Sequence, residues 1–118
     1  ISTNNPQNPN IPYPEVERVS IQDAKAAFDA GAAVFVDTRT LDSYNAGHIP
    51  GAISIPENEM DARFTELDPN DWIITYCTWP AENSSAGAAS NLMARGFTKV
   101  NTLLGGFQLW QQMAYPIE

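Results

Sequence analysis

Residues 72–92 read WIITYCTWPAENSSAGAASNL, and they hold the only cysteine of the 118-residue chain. The stretch changes character at Cys77. Before it runs a short, nearly continuous apolar and β-branched segment, the pattern of a parallel strand covered on both faces. After it, a polar loop gives way at Ser84-Ser85 to small residues. There Ala88, Ala89, Leu92 and Met93 recur at helical spacing and Gly96 supplies a stop. The thiol therefore stands where a strand ends and a helix begins. Backbone N–H groups without intrahelical partners converge at such a place, and together with the helix dipole they favour an anion. Ser84 or Ser85 is the expected N-cap. A lone cysteine is most often a small buried hydrophobe. This position argues instead for a thiolate, the reactive form of the side chain.

Working outward, the flanking segments alternate. EVERV is a strand candidate. SIQDAKAAFDAG is a helix, opened by Ser20 with Asp23 three residues on and closed by Gly31. AAVFVDTR is a second buried strand. TLDSYNAG holds a turn or two of helix ended by Gly47. HIPGAISIP turns at Pro50-Gly51 and enters a short strand near residues 52–55. ENEMDARFTEL is helix-compatible. KVNTLL is a last strand and GGFQLWQQM a last helix, with Phe107 and Trp110 on one face. This order predicts an α/β fold: a mostly parallel five-stranded sheet with helices on both faces. Ligands in such sheets bind beyond the carboxyl ends of the strands, where Cys77 lies.

Composition narrows the function classes. The formal charge of −8 argues against nucleic acid and anionic membrane surfaces as partners. One cysteine excludes an internal disulfide and thiolate-built zinc clusters, and no apolar run is long enough to span a membrane. Residues 1–14, ISTNNPQNPNIPYP, are rich in Asn and Pro and read as a flexible arm ahead of a domain over 15–118. Such an arm suits a protein exported to the periplasm, with a cytoplasmic location as the alternative.

The chain also resembles a family. VDTRTLDSYNAGHIPGAISIP, ITYC, SSAGAASNLMARGF and KVNTLLGGFQLW occur in the order and spacing of the single-domain rhodaneses. The resemblance implies a sulfurtransferase in which Cys77 is the nucleophile. It would take sulfur from a thiosulfate- or persulfide-type donor, carry a persulfide, and yield it to a thiol or to cyanide. This is covalent ping-pong chemistry, with neither metal nor organic cofactor. The loop Thr78, Trp79, Pro80, Ala81, Glu82, Asn83, Ser84 and Ser85 would bind substrate, its N–H groups acting in the manner of an oxyanion hole.

The loop departs from the common CxxGxRS pattern. It is longer, contains no Arg or Lys, and carries Glu82. It is closer to a CxxPxExxSA type. Rhodanese-related phosphatases and arsenate reductases use C-x5-R, whose arginine grips the anion bidentately. Asn83 stands at that spacing here, which disfavours both activities. The missing cation predicts a donor less charged, or larger, than thiosulfate. It also leaves a second reading open: a rhodanese-like binding or regulatory domain with little turnover, with room for a protein partner. Glu82 is expected to turn onto loop N–H groups, and Trp79 to wall or cover the pocket. His48, the only histidine, resembles a residue that fixes the GHIPGA turn rather than a base. Asp37 and Arg39 sit at a strand end, with Asp42 as the expected partner of Arg39. Gly105-Gly106 is expected to permit close backbone passage near the site.

Overall fold

A computed structural model describes residues 13–78 and 83–118. Five strands and five α-helices form among the described residues: β1 (Glu17–Val19), α1 (Ile21–Ala30), β2 (Val34–Asp37), α2 (Leu41–Ala46), β3 (Ile53–Ser54), α3 (Met60–Arg63), β4 (Ile73–Tyr76), α4 (Asn83–Ala94), β5 (Val100–Leu103) and α5 (Gly106–Gln112). The expected punctuation operates. Ser20 Oγ accepts the Asp23 N–H, and Gly31 closes α1 in the left-handed conformation. Thr40 caps α2 by accepting from Ser43 N–H.

All strand pairings are parallel, in the order β1-β5-β4-β2-β3. The strand that leads to Cys77 is therefore central, with β5 and β2 beside it. Alternation along the strands builds two cores. Phe35, Ile74, Tyr76 and Leu103 face α1 and α5, joined by Ala24, Ala27, Phe107 and Trp110. Val36, Ile73 and Val100 face α3 and α4, joined by Met60, Ala88, Ala89 and Leu92. The fold is thus the expected α/β sheet with helices on both faces.

Three local expectations are corrected. The stretch 57–66 is not one helix: 3-10 turns at Glu57–Glu59 and Phe64–Glu66 flank the single α turn of α3. No side chain caps either turn, and the segment is anchored by Met60, fully buried, rather than by a continuous apolar face. Met93, placed on the core stripe of α4, is 38% exposed; the buried stripe ends at Leu92. Finally, α4 begins at Asn83, so Ser84 and Ser85 lie inside its first turn and neither is its N-cap.

Residues 1–12 of the expected arm lie outside the described residues. The carbonyl of Tyr13 accepts hydrogen bonds from Val16 N–H and the Arg18 guanidinium, which ties residue 13 to the start of β1.

Candidate active site

Because β4 is central and parallel to its neighbours, the chain segments leaving β2, β4 and β5 emerge together. The segments that follow β2, β3 and β4 line a cavity of about 650 Å³ with Thr38, Arg39, Thr40, Ser43, Pro56, Glu57, Asn58, Cys77, Thr78, Asn83 and Ser84. Cys77 is only 8% exposed, yet it forms part of this wall. Thr78, Asn83 and Ser84 join it there. Ser85 does not: it is fully buried, and its Oγ lies 3.3 Å from Cys77 Sγ. Trp79, Pro80, Ala81 and Glu82, with their share of the N–H groups expected to cradle the sulfur, lie outside the described residues.

The backbone entry to the loop is fixed from β5 and α5. Phe107 N–H donates to the Cys77 carbonyl at 2.7 Å, and Gln108 N–H to the Thr78 carbonyl at 3.1 Å. These two donors belong to the first turn of α5, where N–H groups have no partner within the helix. A Cβ on Gly106 would lie 2.6 Å from the Cys77 carbonyl oxygen, so the close passage expected at Gly105-Gly106 requires glycine.

The cavity holds one cation among the described residues, Arg39, and its partner is Asp37 rather than the expected Asp42. Nε and Nη2 of Arg39 reach the Asp37 carboxylate at 3.0 and 2.6 Å, and Nη2 also donates to the Gly47 carbonyl. The guanidinium stacks 4.3 Å above the Phe107 ring. Asp37 ends β2 with its side chain wholly buried, so the buried carboxylate takes the nearest available cation. Asp42, in the first turn of α2, is already placed favourably for the helix dipole. Burial pushes the Arg39 pKa down, but the hydrogen bonds and charge of Asp37 and Tyr76 outweigh it, and the net shift is upward. Tyr76 is likewise raised well above the ordinary phenol range, first by burial and then by the charge of Asp37. Both stay protonated through the physiological range, and neither is a proton shuttle.

His48 is structural, as expected. Its ring stacks on Tyr44 at 3.7 Å, Nδ1–H donates to the Tyr44 carbonyl at 2.8 Å, and Nε2 lies 3.2 Å from Glu118 Oε1. It is not among the residues lining the cavity. Sequence reasoning did not find Glu57 and Asn58 on the cavity wall, nor Thr75 and Thr102 behind the sulfur. The first pair reads as helix surface and the second as strand interior.

Residues 20–113 match the rhodanese-like domain family. The chain belongs to that family. Solved structures agree. A Bacillus halodurans protein is 35% identical, with a TM-score of 0.79 over 86% of this chain and 75% of that one. A Rhodopseudomonas palustris protein of unknown function, described as a possible tyrosine phosphatase, is 26% identical, with a TM-score of 0.77 over 88% and 86%. The human single-domain sulfurtransferase shares the fold at 22% identity, with a TM-score of 0.72 over 80% and 95%. Among the described residues no helix is long and apolar enough to cross a membrane.

Proposed function

We propose that this rhodanese-like domain, taken as residues 15–118 behind an arm at 1–14, is a sulfurtransferase or persulfide carrier with Cys77 as its nucleophile. The observation that carries the reading is the position of Cys77: at the end of the central strand, among the residues that line a cavity large enough for a small donor. The Cys77 thiolate attacks the outer sulfur of the donor. The donor's bond to that sulfur breaks, S–S in thiosulfate or a persulfide and C–S in mercaptopyruvate, its remainder leaves with the electron pair, and Cys77 holds a persulfide. An acceptor thiolate or cyanide then attacks the outer sulfur, and Cys77 departs as thiolate. Thr78, Asn83 and Ser84, with the loop residues Trp79, Pro80, Ala81 and Glu82, are the proposed substrate contacts.

The electrostatics favour a donor other than thiosulfate. Arg39 already answers the charge of Asp37, and Glu57 adds a carboxylate to the wall. A dianion gains little there, whereas a persulfide with fewer charges loses less on entry. The same feature supports the second reading, a binding domain with slow turnover.

The experiment is mass spectrometry of the purified chain after exposure to thiosulfate, mercaptopyruvate or glutathione persulfide. Gain of one sulfur atom, absent in Cys77→Ala and discharged by cyanide or thiol, is the expected result. A thiol that alkylates readily but gains sulfur from none of them would favour the binding domain.

A further inference from the structure

Three hydroxyls interrupt the apolar layer between the sheet and α4, and all three belong to fully buried residues: Thr75, Ser85 and Thr102. Thr75 on β4 and Thr102 on β5 are register partners. Their side chains therefore stand side by side on the face that α4 covers, where valine would satisfy the pattern of the neighbouring positions. Thr75 Oγ1 donates to the Ser85 carbonyl at 2.8 Å and so holds the first turn of α4 against the sheet. Thr102 Oγ1 lies 2.5 Å from Ser85 Oγ and 3.3 Å from the Thr75 carbonyl oxygen. Ser85 Oγ in turn lies 3.3 Å from Cys77 Sγ. A continuous chain thus runs from the Thr75 carbonyl through Thr102 and Ser85 to the sulfur.

We propose that Thr102 is a positioning residue for Cys77, acting through Ser85 as a hydroxyl relay whose direction reverses with the charge on Sγ. This rests on Cys77 as the reactive thiol. Each hydroxyl has one proton and can also accept, so the chain can run in either direction. With a thiol, S–H points to Ser85 Oγ, Ser85 O–H to Thr102 Oγ1, and Thr102 O–H to the Thr75 carbonyl. With a thiolate, the proton of sulfur has left to a base in solution. Both hydroxyls then rotate: Thr102 O–H donates to Ser85 Oγ, and Ser85 O–H donates to S⁻. No covalent bond changes in the relay itself. Donors in series polarise one another, so Thr102 strengthens the donation Ser85 makes to the anion. In the persulfide the charge moves to the outer sulfur and the inner sulfur becomes a poor acceptor. The relay therefore stabilises the free thiolate relative to the persulfide. It assists the step in which Cys77 is the leaving group more than the step in which it attacks.

The test compares native protein with Thr102→Val, Thr102→Ser and Ser85→Ala. The first readout is the pH dependence of Cys77 alkylation by iodoacetamide, which needs no sulfur donor. Thr102→Val is expected to move the midpoint upward by about half to one pH unit, Ser85→Ala by at least as much, and Thr102→Ser is expected to restore it. In the Ser85→Ala background, Thr102→Val should shift the midpoint no further. The second readout is single-turnover kinetics: discharge by cyanide should slow more than loading. An unchanged midpoint in Thr102→Val, or a Thr102→Ser variant that behaves like valine, would overturn the relay. Should Thr102→Val fail to fold, an unmoved midpoint in Ser85→Ala would do the same. Shifted midpoints in a chain that never gains sulfur would leave the relay standing and remove the transferase reading. Sulfur loading with unmoved midpoints would do the reverse.

Discussion

Gly106 and Cys77 meet backbone to backbone. The Cα of Gly106 passes so close that a single added methyl would sit 2.6 Å from the Cys77 carbonyl oxygen, which already accepts the Phe107 N–H at 2.7 Å. The start of α5 and the entry to the loop after Cys77 thus form one unit, joined without any side chain of residue 106.

Gly106→Ala is accordingly expected to be costly. Gly106 has φ +63°, where alanine is strained by about 1–2 kcal/mol, and the contact with Cys77 adds to that. A loss of about 2 kcal/mol or more in urea denaturation is expected, with a larger relative loss of thiol reactivity because the loop entry must shift. Gly96→Ala is the control. It has φ +95° and nothing within 4 Å of a Cβ, so it should cost stability and leave reactivity unchanged.

The Asp37–Arg39 pair is buried on both sides, with side-chain exposures of 0% and 9%. Asp37→Asn leaves a guanidinium with no carboxylate among its contacts at the cavity wall. A destabilisation of about 3–5 kcal/mol is expected, measured by chemical denaturation. Arg39→Lys, with Asp37 intact, should also destabilise the protein, because an ammonium cannot reach both carboxylate oxygens and the Gly47 carbonyl in one plane.

Glu57 contributes negative charge to the cavity without pairing to Arg39. Glu57→Gln is expected to lower the KM for thiosulfate by roughly two- to five-fold at low ionic strength, with the gain shrinking in salt. Its effect on a donor of lower charge should be smaller. Equal gains for both donors would assign the change to shape.

Acid should act through a few surface carboxylates. Hydrogen bonds from Asn91 and Arg95 hold Asp61 below its ordinary 3.8. Bonds from Arg63 hold Glu66 below 4.5, and the Ser90 hydroxyl does the same for Glu15. A depressed folded-state pKa gives stability that is complete above the unfolded value and is lost as pH falls through the folded one. Stability should therefore be flat from neutral pH down to about pH 5 and decline below that. Asp61→Asn should lower stability at neutral pH only slightly, since the site is exposed. Its curve and the native curve should converge in strong acid.

Much of this architecture is legible in the sequence because it rests on local rules. Ser20, Gly31 and Gly47 mark helix ends through their own backbone and side-chain chemistry. The runs leading to Asp37 and Cys77 are continuous because both faces of their strands are covered. What sequence could not supply are partnerships across the sheet. Asp42 looked the natural mate of Arg39 because it is near in the chain, but Asp37 wins by being buried. Ser85 looked like a cap because helices often begin with serine. Its hydroxyl is instead engaged by Thr102, a residue on a neighbouring strand, and no periodicity reports a contact of that kind. The break of the 57–67 stretch is similar: Met60 anchors it by burial in a core that also draws on Val16, Val36, Ala88 and Leu92, far away in sequence.

The last residue of the chain is knitted to the only histidine. His48 N–H donates to the Glu118 carbonyl and Glu118 N–H to the His48 carbonyl, at 3.1 and 2.8 Å, and Trp110 fastens the preceding stretch through Pro116. This two-way pairing clamps residues 116–118 over the turn ahead of β3, so Glu118→Pro, which removes one of the two donors, should let that turn exchange its amide protons faster while sparing the thiol.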